Sequence, residues 1–219
     1  MNFRLPSRPP ALWAFALVAA LQGGCSTTQV HSDDKVQNIA LTARELHGNS
    51  LAFLTPSTNT GAEEDKQALA LVFYDVLHEL RPKQRLDSLP QALSAVNSAG
   101  FAEHYQRMLA NYRDTGIYEK APLRQFSQIT GSRYLAQLKL EGFRQESKDR
   151  LGIFGLRLVE TKSADVRVYL QIWDGQTGSI VWEGTEEMIV SHDAISENTI
   201  PFKQAVQEAA RKLLAQLPQ

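Results

Sequence analysis

The chain has 219 residues, 23 of them basic and 24 acidic, with a formal net charge of −1 and one cysteine. That balance gives no electrostatic case for binding nucleic acid. A single cysteine excludes an internal disulfide, so the fold must rest on its core.

The first elements concern targeting. Arg4 and Arg8 form a basic start, Ala11 to Leu21 is an eleven-residue apolar run, and Gly23-Gly24 follow. This is the three-part layout of an export signal. The run is too short to span a bilayer, which takes about 20 apolar residues in a helix. Gly23-Gly24-Cys25 at its end resembles the lipobox of bacterial lipoproteins. The resemblance implies cleavage before Cys25 and acylation of its thiol and new amino terminus. Gln22 stands where the pattern has leucine, with Leu21 one position further back, so cleavage by an ordinary signal peptidase is the alternative. Ser26 follows the cysteine. Aspartate there favours inner-membrane retention in Gram-negative lipoproteins, so serine implies the outer membrane, facing the periplasm.

Residues 1–24 are thus expected to be a signal peptide and 25–48 a lipidated cysteine with a flexible tether. The stretch Ser26 to Asn38 is polar and poor in large apolar residues. Removing residues 1–24 takes Arg4 and Arg8 away and leaves 21 basic and 24 acidic residues.

The remainder, 49–219, reads as one domain. Asn49 to Thr58 is a short buried strand ended by Pro56. Leu69, Val72, Phe73, Val76, Leu77 and Leu80 form one apolar stripe of a helix ending before Pro82. Ser88 caps a second helix with Pro90 in its first turn. Phe101 to Tyr118 is helical, and Pro122 opens another helix that Gly131 stops. Ser132 to Phe143 alternates as a strand, followed by a charged excursion, Arg144 to Arg150, and an apolar stretch, Leu151 to Val159. Val166 to Trp173, the turn Asp174 to Gly178 and Ser179 to Val190 make a hairpin. A helix over Pro201 to Leu217 ends the chain. The order predicts an α/β (α+β) sandwich, with a mixed, partly antiparallel sheet packed against helices.

Five segments together, LAFLTPST, Lys66 to Leu80, RLDSLPQALSAV, FSQITGSRYLAQLKLEG and VRVYLQIWDGQTGSIVWEG, resemble the periplasmic α/β domain of the curli-secretion-channel lipoproteins. Related domains occur in the penicillin-binding-protein-activator lipoproteins and the Tol-system propeller protein. The likeness covers roughly 49–217 and is closest over Phe126 to Gly142 and Val166 to Gly184. It departs at 101–121 and 144–164. It implies an envelope location and protein–protein contacts without a shared catalytic site.

His31, His47, His78, His104 and His192 are scattered, with no HExxH, no GxSxG and no phosphate loop. The expectation is a non-enzymatic protein with no cofactor and no metal. Its expected partners are a membrane, met through acyl chains on Cys25, and other envelope proteins, with a homo-oligomer as the alternative assembly. Trp173 and Trp182 flank the hairpin turn and are read either as a stabilising aromatic pair or as a partner-binding patch. Ile153, Phe154 and Leu156 are either a strand that completes the sheet or an exposed apolar tip that meets a partner or the membrane.

Overall fold

A computed structural model of the chain describes residues 29–58, 63–153, 156–194 and 199–219. The strands are β1 (Gln29–Asn38), β2 (Leu51–Phe53), β3 (Ser57–Thr58), β4 (Leu86–Asp87), β5 (Tyr134–Ile153), β6 (Leu156–Asp174) and β7 (Ser179–Ala194). The helices, numbered in chain order, are α1 (Ala43–Gly48), α2 (Glu63–Leu80), α3 (Leu89–Ser98), α4 (Ala102–Thr115), α5 (Lys120–Thr130) and α6 (Phe202–Ala215). Among the residues described, one mixed sheet runs in the order β1-β7-β6-β5-β2-β4, with β3 also paired to β5. The late strands are antiparallel, whereas β2 pairs parallel with β4 and β5.

Strand alternation splits the core in two. Tyr134, Ala136, Leu138 and Leu140 of β5, with Val166, Val168, Leu170 and Ile172 of β6, face α2 and α6. On the opposite face, Leu135 and Trp173 meet Val96, Tyr105, Met108, Leu123 and Phe126 from α3, α4 and α5. Helices therefore cover both faces, as a sheet with two apolar faces requires. The expected α2 stripe is buried at Leu69, Val72, Phe73, Val76 and Leu77, while Leu80, the last residue of the helix, is 41% exposed. Ser88 donates its backbone N–H to Gln91 Oε1 at 2.8 Å, which starts α3 as the sequence predicts. Gly131 stops α5 in the left-handed conformation.

Two expectations are corrected. The stretch from Gln29 to Gly48 is not a flexible tether. β1 pairs with β7 along its whole length, from Gln29↔Ser191 to Asn38↔Trp182. Its side chains are almost all exposed, so main-chain hydrogen bonds hold it and no apolar alternation marks it. α1 follows, with Thr42 and Glu45 capping each other and Leu46 buried. Likewise Arg144 to Arg150 is no excursion. β5 and β6 run on as a hairpin to Ile153↔Leu156, with Arg144 and Asp165 paired across it at 3.0 Å.

These registers fix the two ends of the sheet. Gln29 lies level with Ser191, Ser163 and Glu146, and the β5–β6 hairpin continues beyond that level. At the other end lie Tyr134, Asp174 and Ser179.

Candidate functional site

The end of the sheet away from Gln29 carries a polar cleft of about 540 Å³, where the start of β5, the end of α5 and the β6–β7 turn meet. Arg133 anchors it. Its Nε and Nη2 donate to Asp174 Oδ2 at 3.1 and 2.8 Å, and Glu45 lies 3.9 Å away. Asp174 Oδ1 accepts the backbone N–H groups of Gln176 and Thr177. Burial by itself would raise the Asp174 pKa, but Arg133 and those two N–H groups hold it below the usual value. The hydrogen bond to Asp174 in turn raises that of Arg133. Ser132 Oγ donates to Asp87. Arg85 and Arg124 line the same cleft from outside this network.

A second cleft, of about 500 Å³, lies between Thr55–Thr58 and α4 and has Tyr112 and Gln137 in its lining. Beneath it runs a buried polar network. Tyr118 donates to Gln137 Oε1, and Tyr112 stacks on Tyr118 at 4.2 Å. Gln171 is its hub. Its Oε1 accepts from Tyr112 Oη and Trp173 Nε1, at 2.9 and 3.2 Å, while its Nε2 donates to Tyr169 Oη and Glu183 Oε2. Burial, followed by the Glu183 charge, pushes the Tyr112 pKa up to about 12, so its phenol stays a donor. Gln171→Leu strips partners from two buried donors and is expected to cost about 2–3 kcal/mol in urea unfolding. A loss under 0.5 kcal/mol would show that the network contributes nothing.

Among the described residues, no three His, Cys, Asp or Glu side chains form a group able to hold a metal ion. An apolar groove of about 300 Å³ between α2 and α3 is lined by Leu71, Tyr74, Pro90 and Leu93, with Leu71 56% exposed.

No family model matches the chain, and no curated relative does. Among solved structures, the chain is similar to the PelC dodecamer from Paraburkholderia phytofirmans, at 13% identity over 87% of this chain and 94% of that one, with a TM-score of 0.40. It is also similar to the LpoB C-terminal domain from Salmonella enterica, at 18% identity over 67% and 84% of the two chains, with a TM-score of 0.38. A lipoprotein from Neisseria meningitidis is 12% identical over 69% and 87%, with a TM-score of 0.39.

The residues singled out in the sequence do not come together. Cys25 lies outside the described residues. Trp173 and Trp182 are 3% and 0% exposed and sit in different cores, on opposite faces of the sheet. They form neither an aromatic pair nor an exposed patch. A register shift between Ile172 and Trp173 pairs Trp182 with Ile172 and Trp173 with Ile180, which separates the two rings. The backbone sets Ile153 opposite Leu156 at the end of the hairpin, and Phe154 lies outside the described residues. Sequence reasoning missed the arginine-lined cleft, because Arg85, Arg124 and Arg133 come from three separate segments with no shared spacing.

Proposed function

We propose that this protein is a bacterial envelope lipoprotein, held on the periplasmic face of the outer membrane by acyl chains on Cys25. It acts without catalysis, as a scaffold, assembly factor or activator that contacts other envelope proteins. One observation carries the reading. The lipobox-like Gly23-Gly24-Cys25 stands four residues before Gln29, where β1 begins its ten-residue pairing with β7. Four extended residues reach at most about 14 Å. An anchor at Cys25 would therefore hold the folded sheet close to the bilayer. The Gln29 end of the sheet would face the membrane and the Tyr134–Asp174 end would face away. Each buried CH₂ of an acyl chain contributes about 0.8 kcal/mol, and two or more chains give stable anchoring.

The test is fractionation. The wild type is expected in the membrane fraction, and Cys25→Ser is expected to turn soluble or stay uncleaved. A processed Cys25→Ser protein that still sediments with membranes would overturn the anchor. Chemical cross-linking of the native lipoprotein is expected to capture envelope proteins.

A second reading, a subunit of an oligomeric lipoprotein assembly, is favoured by the open sheet edges. Among the described residues, the outer edge of β1 is unpaired, and β2 and β3 cover β5 only between Tyr134 and Leu140. Such edges are templates for another strand. Light scattering of the protein at high concentration decides this, since a strict monomer would exclude it.

A further inference from the structure

We infer that the arginine-lined cleft at the far end of the sheet is a docking site for an acidic segment of a partner protein, whose carboxylates are taken by Arg85 and Arg124. The inference deepens the protein-contact reading and rests on it.

The chemistry of the cleft is asymmetric. Its lining holds three guanidinium groups, and the neighbouring carboxylates of Asp174, Asp87 and Glu45 each have a partner already. Asp174 is filled by Arg133 and two backbone N–H groups. Asp87 accepts from Ser132. Glu45 caps α1 through Oε2, accepting from Thr42, and turns Oε1 toward Arg133. Among the described residues, neither the Arg85 nor the Arg124 side chain has a hydrogen bond or an ion pair, and both are exposed. Two guanidinium forks beside a neutralised third are therefore left for a ligand.

A guanidinium fork matches a carboxylate bidentately, and arginine clusters recognise acidic motifs. The rest of the lining agrees. Asn49, Ser50, Gln128 and Gln176 add neutral hydrogen-bonding groups, so the cleft suits a polar chain and not an acyl chain. Its volume of about 540 Å³ exceeds what a single small ion fills and lies inside the range of about 300–1,000 Å³ typical of ligand sites. Its position agrees too. Ten residues of β1 at about 3.3 Å each set this end some 30 Å from Gln29, clear of a membrane met through Cys25.

The experiment is fluorescence anisotropy of a labelled hexaglutamate peptide with the full-length, detergent-solubilised lipoprotein. Binding is expected, and it should weaken as salt rises. Arg85→Glu and Arg124→Glu are each expected to weaken it at least tenfold. Arg107→Glu, on an exposed face of α4, changes net charge equally and is expected to leave it unaltered. Circular dichroism checks that each variant folds. Absence of binding, an equal loss in Arg107→Glu, or displacement of the peptide by inorganic phosphate at matched charge would overturn the proposal. The arginine variants should still fractionate with the membrane. A failed peptide assay thus leaves the anchor standing, and a failed anchor leaves the peptide result standing.

Discussion

Trp182→Ala is expected to lower the unfolding free energy by about 3–5 kcal/mol, measured by urea titration followed by far-ultraviolet circular dichroism. Domains of this size are stable by about 5–15 kcal/mol, so the loss threatens the whole fold. Trp182 is fully buried and is the largest such side chain in the core. Its ring lies over Gly184. A Cβ built at Gly184 would come within 2.7 Å of Trp182 Cη2 and 2.8 Å of Leu213 Cδ1 on α6, and within 3.2 Å of Val36 Cγ2 on β1. The ring thus fills the space between β7, α6 and β1, and the missing side chain at 184 makes room for it. Two further outcomes follow from this packing. Trp182→Phe should cost less than Trp182→Ala, because it keeps an aromatic ring and removes an indole N–H that has no hydrogen-bond partner. Gly184→Ala should cost about 1–3 kcal/mol in the wild type and much less beside Trp182→Ala, since the rigid ring is then gone. Strict additivity of the two changes would contradict this placement.

Glu186→Gln is expected to change how stability depends on pH. Glu186 of β7 is 0% exposed, and its carboxylate is poorly satisfied, with the Ser32 hydroxyl as the nearby hydrogen-bonding group. Around it stand Lys212 from α6 and Ser32, Asp33 and Asp34 from β1. Lys212 donates to Ser32. Burial, aided by Asp34 and Asp33 and opposed by Lys212 and a hydrogen bond from Ser32, pushes the Glu186 pKa from 4.5 up to about 7. The sign follows. Below about pH 4.5 the group is protonated both folded and unfolded and costs nothing. Between about 4.5 and 7 the unfolded chain ionises first, so the folded state loses stability. Above about 7 the full penalty applies, about 3 kcal/mol at about 1.4 kcal/mol per pKa unit. Glu186→Gln should therefore match the wild type closely near pH 4.5 and exceed it by about 2–3 kcal/mol at pH 8. Urea midpoints at the two pH values measure this. Parallel curves would show that Glu186 is not a buried charge.

What the sequence made legible follows from where apolar residues report burial. The α2 stripe, the alternation of Ser132 to Phe143 and the Val166–Val190 hairpin all bury one or both faces, so their periods match the observed elements. β1 left no such trace, because its ten residues join the sheet through main-chain bonds while Asp33, Asp34 and Lys35 face solvent. The charged half of β5 was missed for the same reason. Its pairs with β6, such as Arg144↔Asp165, are polar across the ladder. Trp173 and Trp182 misled in the opposite sense. Proximity to the turn suggested a shared face, and a one-residue register shift sends the rings to opposite cores. The arginine-lined cleft needed the fold itself, because only the parallel placing of β2 between β4 and β5 brings Arg85 and Arg133 to the same end of the sheet.

The most direct measurement is the mass of the amino-terminal peptide of the mature protein isolated from the cell envelope. The expected peptide begins at Cys25 and carries the added mass of acyl chains. A peptide that begins elsewhere without lipid, or one that retains residues 1–24, would contradict a domain anchored four residues ahead of its first strand.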